Sequence, residues 1–433
     1  MNYQRLVGNI LKLAETPIGK IWTSVSKYGL RAGLQDAAAR WARSRLGVPF
    51  DVARDYDWIL SQDNPARLPA PKAGPLRINW LTPDVRGLRS GGLSTIFRTI
   101  QQLERWGHQN RVYVLARTAI DEARATDFVR RNYFPIEARI EEFKGETADS
   151  DVLIATSWVT AYVARRLGNT ARKFYFVQDL EHLFYPEGSL CEFARQTYRW
   201  GFHAITAGRW VADVLHAEFA MECSPFGFSY DREVYSPNGS RRVREQRKRV
   251  VFYARPQTER RGFELGVLAL SLVAKKRPDV EFVLVGFPPR RMRIPFRAVF
   301  PGVLSPTELA ELYRGCDVAL VLSHTNLSLL PLELMACGCA VASNRGRNVE
   351  WLLTEETTQL ANPTPESLAE AVLNLLNNED LCARQSAAGL AFAQRTDWTS
   401  EIKRIEGAFH RGLGLSENWQ STPGGVRSSL SAD

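Results

Sequence analysis

Two spacings of apolar residues take turns along most of the chain. Short apolar blocks at Leu76–Leu81, Arg111–Leu115, Val152–Ala155, Phe174–Val177 and His203–Thr206 read as strands, and a second series follows at Val250–Ala254, Phe282–Val285, Val318–Leu322 and Ala340–Ala342. The Val318–Leu322 block is apolar throughout, as a strand covered on both faces must be. Between the blocks the apolar residues recur at helical spacing. The clearest cases are Leu93 to Trp106, Phe263–Lys276, Pro306–Arg314, a short helix that begins near Leu330, Pro365–Asn377, Leu381–Gln394 and Trp398–Gly412. Pro331 can start the short helix at its first turn, and Cys337-Gly338-Cys339 ends it. Strand-helix alternation of this kind predicts α/β layers built on open parallel sheets.

The pattern lapses in four places, which set the expected boundaries. Residues 1–60 carry short helical stripes, Leu6, Ile10 and Leu13 and then Leu30, Leu34 and Trp41, broken by Pro17 and Gly29. Residues 61–75 hold Pro65, Pro69, Pro71 and Pro75 and read as a stiff linker. Residues 236–249 are polar, rich in turn residues and without apolar period, and the Ser/Gly-rich residues 413–433 read as a disordered tail. Two bodies remain, 76–235 and 250–412. At 433 residues the chain is too long for one modest core.

Charge changes the picture at the amino end. The formal net charge is +9, and the first 45 residues hold eight basic residues (Arg5, Lys12, Lys20, Lys27, Arg31, Arg40, Arg43, Arg45) against Glu15 and Asp36. With Trp22, Tyr28 and Trp41 among them, these helices suit an anionic membrane surface, and they suit equally a role as packing elements on the body. The basic run from Arg241 to Arg249 reads as a solvated linker rather than a nucleic-acid contact, since no finger, helix-turn-helix or aromatic stacking motif accompanies it. Cys191, Cys223, Cys316, Cys337, Cys339 and Cys382 sit in apolar or helical patterns without metal-ligand spacing, so the expectation is reduced core cysteines and no metal. No run approaches a membrane span and no leader pattern is present, which predicts a cytosolic protein, with the inner face of the membrane as its peripheral site.

Candidate chemistry collects just beyond the carboxyl ends of the strands, where open α/β sheets bind ligands. After the first strand come Gly87 and the pair Gly91-Gly92, which allow backbone amides to approach a ligand or simply serve a tight turn. After Val177 comes Gln178-Asp179-Leu180-Glu181-His182. Asp179 is either a ligand-facing carboxylate or a cap for the following turn, Gln178 and Glu181 are secondary candidates, and His182 suits a partly buried structural role. Ser157 reads as a helix cap. After Ala254 come Arg255, Arg260 and Arg261, whose guanidinium forks suit diphosphate oxygens. After Leu322 the stretch SHTNLSLLPLELMACGCAVAS, residues 323–343, leads through a polar loop into a helix with Glu333 in its first turn. That carboxylate could accept hydrogen bonds from hydroxyls, or merely complement the helix dipole.

The stretch PLELMACGCAVA resembles the donor-binding segment of family 4 glycosyltransferases of the GT-B fold. The resemblance implies two Rossmann-like domains facing a cleft, the first binding an acceptor sugar and the second a sugar nucleotide, with the basic residues 1–60 as a helical extension. In that family two glutamates separated by seven residues close the motif. Glu333 matches the second, implied to bind the ribose, while Thr325 stands where the first would contact the donor sugar. This replacement, with His324 near the strand end and the Pro-Leu-Glu ending, is similar to the rhamnan-building (WsaF-type) rhamnosyltransferases. The resemblance implies donor contacts at Gly91, Gly92, Val303, Thr325, Ser328, Leu329 and Glu333, catalytic roles for Asp179, Arg255 and Arg261, and sugar or acceptor contacts at Gln178 and Glu181.

The expected reaction is then retaining glycosyl transfer from a nucleotide sugar to a saccharide or lipid-linked saccharide in bacterial surface polysaccharide synthesis, without metal or other cofactor. A short neutral Thr325 favours a deoxysugar donor such as dTDP-L-rhamnose, because a 6-deoxy sugar offers a methyl group where a hydroxyl would need an acceptor. Two other readings share these residues: a GT-B epimerase or phosphorylase, and a non-catalytic partner subunit.

Overall fold

The computed structural model of the chain describes residues 56–60, 62–86, 90–116, 119–238, 247–287 and 293–415. The helical extension expected before residue 56, Gly87, most of the polar run at 236–249 and the tail from 416 lie outside the described residues. Two compact units are present, the described residues up to Lys173 and those from Phe174 on. Each is built from parallel strands with helices between them.

In the first unit, β1 (Arg77–Pro83), α1 (Gly91–Arg105), β2 (Gln109–Leu115), α2 (Glu122–Asn132), β3 (Ile140–Glu142), β4 (Ser150–Ala155) and α3 (Trp158–Arg166) lead into β5 (Thr170–Val177). β1 is the central strand. It pairs in parallel with β2 on one side and β4 on the other, and its residues 78–82 are all buried. Trp80 can lie wholly inside because its indole N–H donates to the Asn110 side chain at 2.9 Å. Ser157 caps α3 in a reciprocal capping box with Thr160, the structural role its position suggested. The proline-bearing stretch before β1 is fastened to this unit: the Asn64 N–H donates to the Arg165 carbonyl (3.0 Å) and the Arg67 N–H to that of Gly168 (2.9 Å). Lys173 reaches the carbonyls of Asn64 and Arg165, and burial lowers its ammonium to about 8.

The second unit continues from β5 through α4 (Ser189–Gln196), β6 (His203–Ala207), α5 (Arg209–Phe219) and β7 (Cys223–Phe226). There follow β8 (Arg249–Tyr253), α6 (Phe263–Lys276), β9 (Glu281–Val285), β10 (Ala298–Gly302), α7 (Pro306–Arg314) and β11 (Val318–Val321). The chain closes with α8 (Leu330–Ala336), β12 (Ala340–Asn344), α9 (Arg347–Glu350), β13 (Thr358–Ala361), α10 (Pro365–Asn377), α11 (Glu379–Arg395) and α12 (Trp398–Gly412). The strand order is β3-β2-β1-β4-β5-β6-β7 in one sheet and β10-β9-β8-β11-β12-β13 in the other. Both are the doubly wound, Rossmann-like order, in which the winding reverses between the first and fourth strands. In the second sheet that reversal lies between β8 and β11, which pair in parallel with Val318 beside Val250.

The core of the second sheet is Val250, Phe252, Leu284, Val318 and Leu320 against α6 and α10. Gly266 of α6 permits this closeness. A Cβ there would stand 2.4 Å from the Phe252 ring. The four helices α6, α7, α10 and α12 begin and end where the sequence pattern places them, whereas β3, β7, β10 and β13 are strands that the pattern did not announce. β7 contains Pro225 and β10 contains Pro301 and Gly302 with alternate residues exposed, so neither carries an apolar run. Among the described residues no helix is long and apolar enough to cross a membrane. All six cysteines are free.

Candidate active site at the reversal of the second sheet

Two loops leave the carboxyl ends of β8 and β11, on either side of the reversal. The β8 loop carries Arg255, Arg260 and Arg261 and ends at Gly262, which takes a left-handed conformation (φ +58°) ahead of α6. The β11 loop runs from Leu322 to Leu329 and enters α8, whose first turn holds Glu333 and whose N-cap residue, Leu329, makes no side-chain capping bond.

Side chains hold the β11 loop at the backbone of Ser323, Thr325, Asn326 and Leu327. Asn344 accepts from the Ser323 N–H and donates back to its carbonyl, both at 2.9 Å. Asn348 donates to the carbonyls of Ser323 (2.9 Å) and Thr325 (2.6 Å). The His324 N–H donates to the Arg260 carbonyl at 2.9 Å, tying the two loops together. Asn326, with no exposed surface, donates through its side-chain amide to the carbonyls of Gln178 (2.9 Å) and Ala207 (2.6 Å), at the ends of β5 and β6. Its side-chain oxygen accepts from the Leu327 N–H and the Trp351 indole N–H, each at 3.0 Å. Trp351 in turn lies over Gly208 (φ +92°), where a Cβ would stand 2.5 Å from the ring.

Asp179 is bound into the same cluster. Thr325 donates its hydroxyl to Oδ2 at 2.7 Å, the Asn326 N–H donates to Oδ1 at 2.9 Å, and the Leu180 N–H reaches Oδ1 at 2.8 Å. The alternative of a capping role is not what the carboxylate does: the following turn, Glu181–Phe184, has no side-chain cap. Burial pushes the Asp179 carboxyl up, while the nearby Arg261 and the bonds from Thr325 and Asn326 pull it back. Arg261 is committed as well. It donates to the Ser323 hydroxyl and to the Asn326 carbonyl (3.0 Å), and burial lowers it to about 10. Arg260 lies 3.9 Å over the Phe184 ring with Nε 3.8 Å from Asp179 Oδ2. Arg255 donates to the Tyr253 hydroxyl at 3.0 Å and lies over that ring.

The remaining candidates fall around this cluster or apart from it. Gln178 meets Asn326 through its carbonyl, and Glu181 accepts from the Tyr175 hydroxyl at 3.1 Å. His182 is buried against Tyr198 and Phe219, and burial lowers it to about 4, so it is neutral at physiological pH. Glu333 and Ser328 are half-buried, and Val303, after the positive-φ Gly302, is exposed. In the first unit, Gly91 and Gly92 open α1 itself and Ser90 caps it, accepting from the Leu93 N–H at 3.2 Å; a Cβ on Gly91 would meet nothing within 4 Å. Asn326, Asn344, Asn348 and Trp351 were not singled out from the sequence. The available signal was three asparagines close together in an otherwise apolar strand-helix-strand stretch, where an irregular buried loop needs side chains to satisfy its backbone. Among the described residues no group of three or more His, Cys, Asp or Glu could hold a metal ion.

The two doubly wound parallel sheets place the chain among proteins of the GT-B fold, and solved glycosyltransferases share it. Sucrose-phosphate synthase from Thermosynechococcus elongatus aligns over 78% of this chain and 100% of its own with a TM-score of 0.61 at 13% identity. HepE of Anabaena in complex with UDP covers 77% and 100%, with a TM-score of 0.61 at 15% identity. WaaG, a glycosyltransferase involved in lipopolysaccharide biosynthesis, covers 78% and 100%, with a TM-score of 0.53 at 15% identity.

Residues 77–207 match the WsaF N-terminal domain and residues 248–373 the WsaF C-terminal domain, and the chain belongs to the WsaF family. It is 34% identical over 260 residues to the O-antigen biosynthesis protein RfbC of Myxococcus xanthus, which is 59% of this chain and 20% of that one. It is 29% identical over 177 residues to a phosphatidyl-myo-inositol mannosyltransferase of Mycobacterium tuberculosis, 37% of this chain and 47% of that one. The chain thus spans about a fifth and about half of these two relatives.

Proposed function

We propose that the protein is a glycosyltransferase of bacterial polysaccharide synthesis that moves a sugar, L-rhamnose or a similar deoxysugar, from a dTDP-sugar to a saccharide acceptor with retention of configuration. The observation that carries the reading is the meeting of the arginine loop and the Glu333 loop at the reversal of the second sheet, through the His324–Arg260 backbone bond. Doubly wound sheets bind nucleotides at that place. Relatives point the same way: HepE has been solved with UDP and with UDP-glucose, and RfbC is named for O-antigen biosynthesis.

In this reading Arg255, with Arg260 beside it, faces the diphosphate, Glu333 accepts from the sugar ring of the nucleoside, and the backbone at Val303 contacts the base. Ser328 and Leu329 line the donor at the entry to α8. The bond between the anomeric carbon and the diphosphate oxygen breaks, and the diphosphate leaves with the electron pair. The acceptor oxygen bonds the anomeric carbon on the same face and gives its proton to the departing diphosphate. Guanidinium groups aimed at the developing charge supply the stabilisation, so no metal is required. Asp179 and Arg261 act by ordering this place, since their polar atoms are engaged with the β11 loop.

Thr325 bears on the donor. Its hydroxyl proton is donated to Asp179, so it has no O–H to give to a sugar hydroxyl. A site of this kind favours a sugar that brings a methyl group over one that brings a further hydroxyl. Competition between dTDP-L-rhamnose and UDP-glucose, read as release of dTDP and UDP, tests the reading. Preference for dTDP-L-rhamnose is expected, and turnover of UDP-glucose at an equal or higher rate would overturn the deoxysugar assignment. Persistence of turnover in EDTA is expected too, and complete loss restored by manganese would contradict the metal-free reaction.

A further inference from the structure

We infer that Asn326 is the positioning residue of this site: it acts through Asp179 and Arg261, and no other residue type can hold both. The inference rests on the glycosyltransferase reading and deepens it. The side-chain amide of Asn326 uses both hydrogens and its oxygen, and the residue's own N–H and carbonyl are used as well. Its two amide hydrogens bridge the last carbonyls of two adjacent parallel strands, Gln178 after β5 and Ala207 at the end of β6. Gln178 directly follows β5 and Ala207 closes β6, so one amide supplies a donor to the carboxyl ends of both strands. An aspartate of the same shape has no such hydrogens, a leucine has neither donor nor acceptor, and a glutamine is one methylene too long for a site with no exposed surface.

The bridging amide fixes the main chain of Asn326, and that main chain meets the Asp179–Arg261 cluster. Its N–H holds Asp179 Oδ1 and its carbonyl receives the Arg261 guanidinium. The neighbouring Thr325 holds Asp179 Oδ2. One amide thereby sets where the carboxylate and the buried arginine stand, while Arg255 and Glu333, the groups assigned to the nucleotide, make no bond to it among those described. Loss of the amide is therefore expected to disturb turnover far more than nucleotide affinity.

The experiment uses the full chain carrying Asn326→Asp, and Trp351→Phe, which removes the indole N–H that Asn326 accepts together with the outer part of the ring that lies over Gly208. Melting, dTDP affinity by calorimetry and dTDP release from dTDP-L-rhamnose are measured across pH. For Asn326→Asp the expected result is dTDP affinity within about threefold of wild type and turnover lower by a hundredfold or more. Part of that turnover should return on acidification, where the new carboxyl regains one hydrogen to donate, an upturn that wild type does not show. Trp351→Phe should lower turnover about tenfold with affinity unchanged. If Asn326→Asp fails to fold, Trp351→Phe decides. Turnover within threefold of wild type in whichever variant folds, or a loss of dTDP affinity equal to the loss of turnover, overturns the inference. Wild-type protein that binds none of dTDP, UDP and GDP overturns the glycosyltransferase reading itself, and this inference with it.

Discussion

The loop after β1 and the loop after β11 each flank the winding reversal of their own sheet, one after its first strand and the other after its fourth, yet they are built from opposite materials. The first leads to an α1 that itself opens on Gly91 and Gly92, with Ser90 as the cap and open space around Gly91. The second approaches α8 through Ser323, Thr325 and Asn326, all buried and each bonded to side chains or backbone from distant segments. Glycines at a helix start leave room for something to come close; an asparagine-fastened loop fixes its own shape before anything arrives. The contrast separates two ways of making a binding place, access in the first unit and preorganisation in the second.

Substitutions test that contrast most sharply where the fastening is densest. Asp179→Ala removes the carboxylate that Arg261, Thr325 and Asn326 face. It leaves the Arg261 charge buried without its counterpart, which should cost about 3–5 kcal/mol in denaturant unfolding. A loss under about 1 kcal/mol would mean the β11 loop is not held as described.

Acid titrates the same neighbourhood. His182 is lowered to about 4 by burial, so the unfolded chain takes up its proton near pH 6.5 while the folded chain does not. The stability it permits is present above pH 6.5 and is lost as the pH falls towards 4. His182→Phe should remove that part of the acid dependence, and an unchanged pH profile would show that His182 is not buried neutral.

Smaller effects are expected further from the cluster. Gly208→Ala combines a positive φ with a Cβ 2.5 Å from the Trp351 ring, and about 2 kcal/mol of destabilisation is expected from thermal melts. Gly91→Ala should move stability by less than about 1 kcal/mol, since it opens a helix with nothing within 4 Å. If the glycines serve ligand access, turnover should nevertheless fall in Gly91→Ala. Turnover equal to wild type would reduce the pair to helix-starting residues.

Local signals explain how much of this could be read from the sequence. The helices α6, α7, α10 and α12 were legible to the residue because their ends are marked: Ser305 with Pro306 and Glu308 forms a capping box, and Thr364 and Asp397 cap α10 and α12. Strands such as Ile140–Glu142 and Thr358–Ala361 were not, because they are too short to show a period. In the candidate site, Asp179 and the arginines stood out as polar residues at strand ends, and Thr325 through the motif of the resembled family. The Asp179–Thr325 bond joins positions 146 residues apart and leaves no trace in spacing. The division of labour among three adjacent basic candidates was equally hidden, since only burial distinguishes the committed Arg261 from Arg255.

The central claim is that the second unit holds a nucleotide through Arg255 and Glu333, and calorimetric titration of dTDP into wild type, Arg255→Ala and Glu333→Ala tests it most directly. Loss of one charge-assisted hydrogen bond should cost about 1.5–3 kcal/mol, so each variant should bind roughly 10- to 150-fold more weakly while melting like wild type. Wild-type affinity in either folded variant would contradict the account.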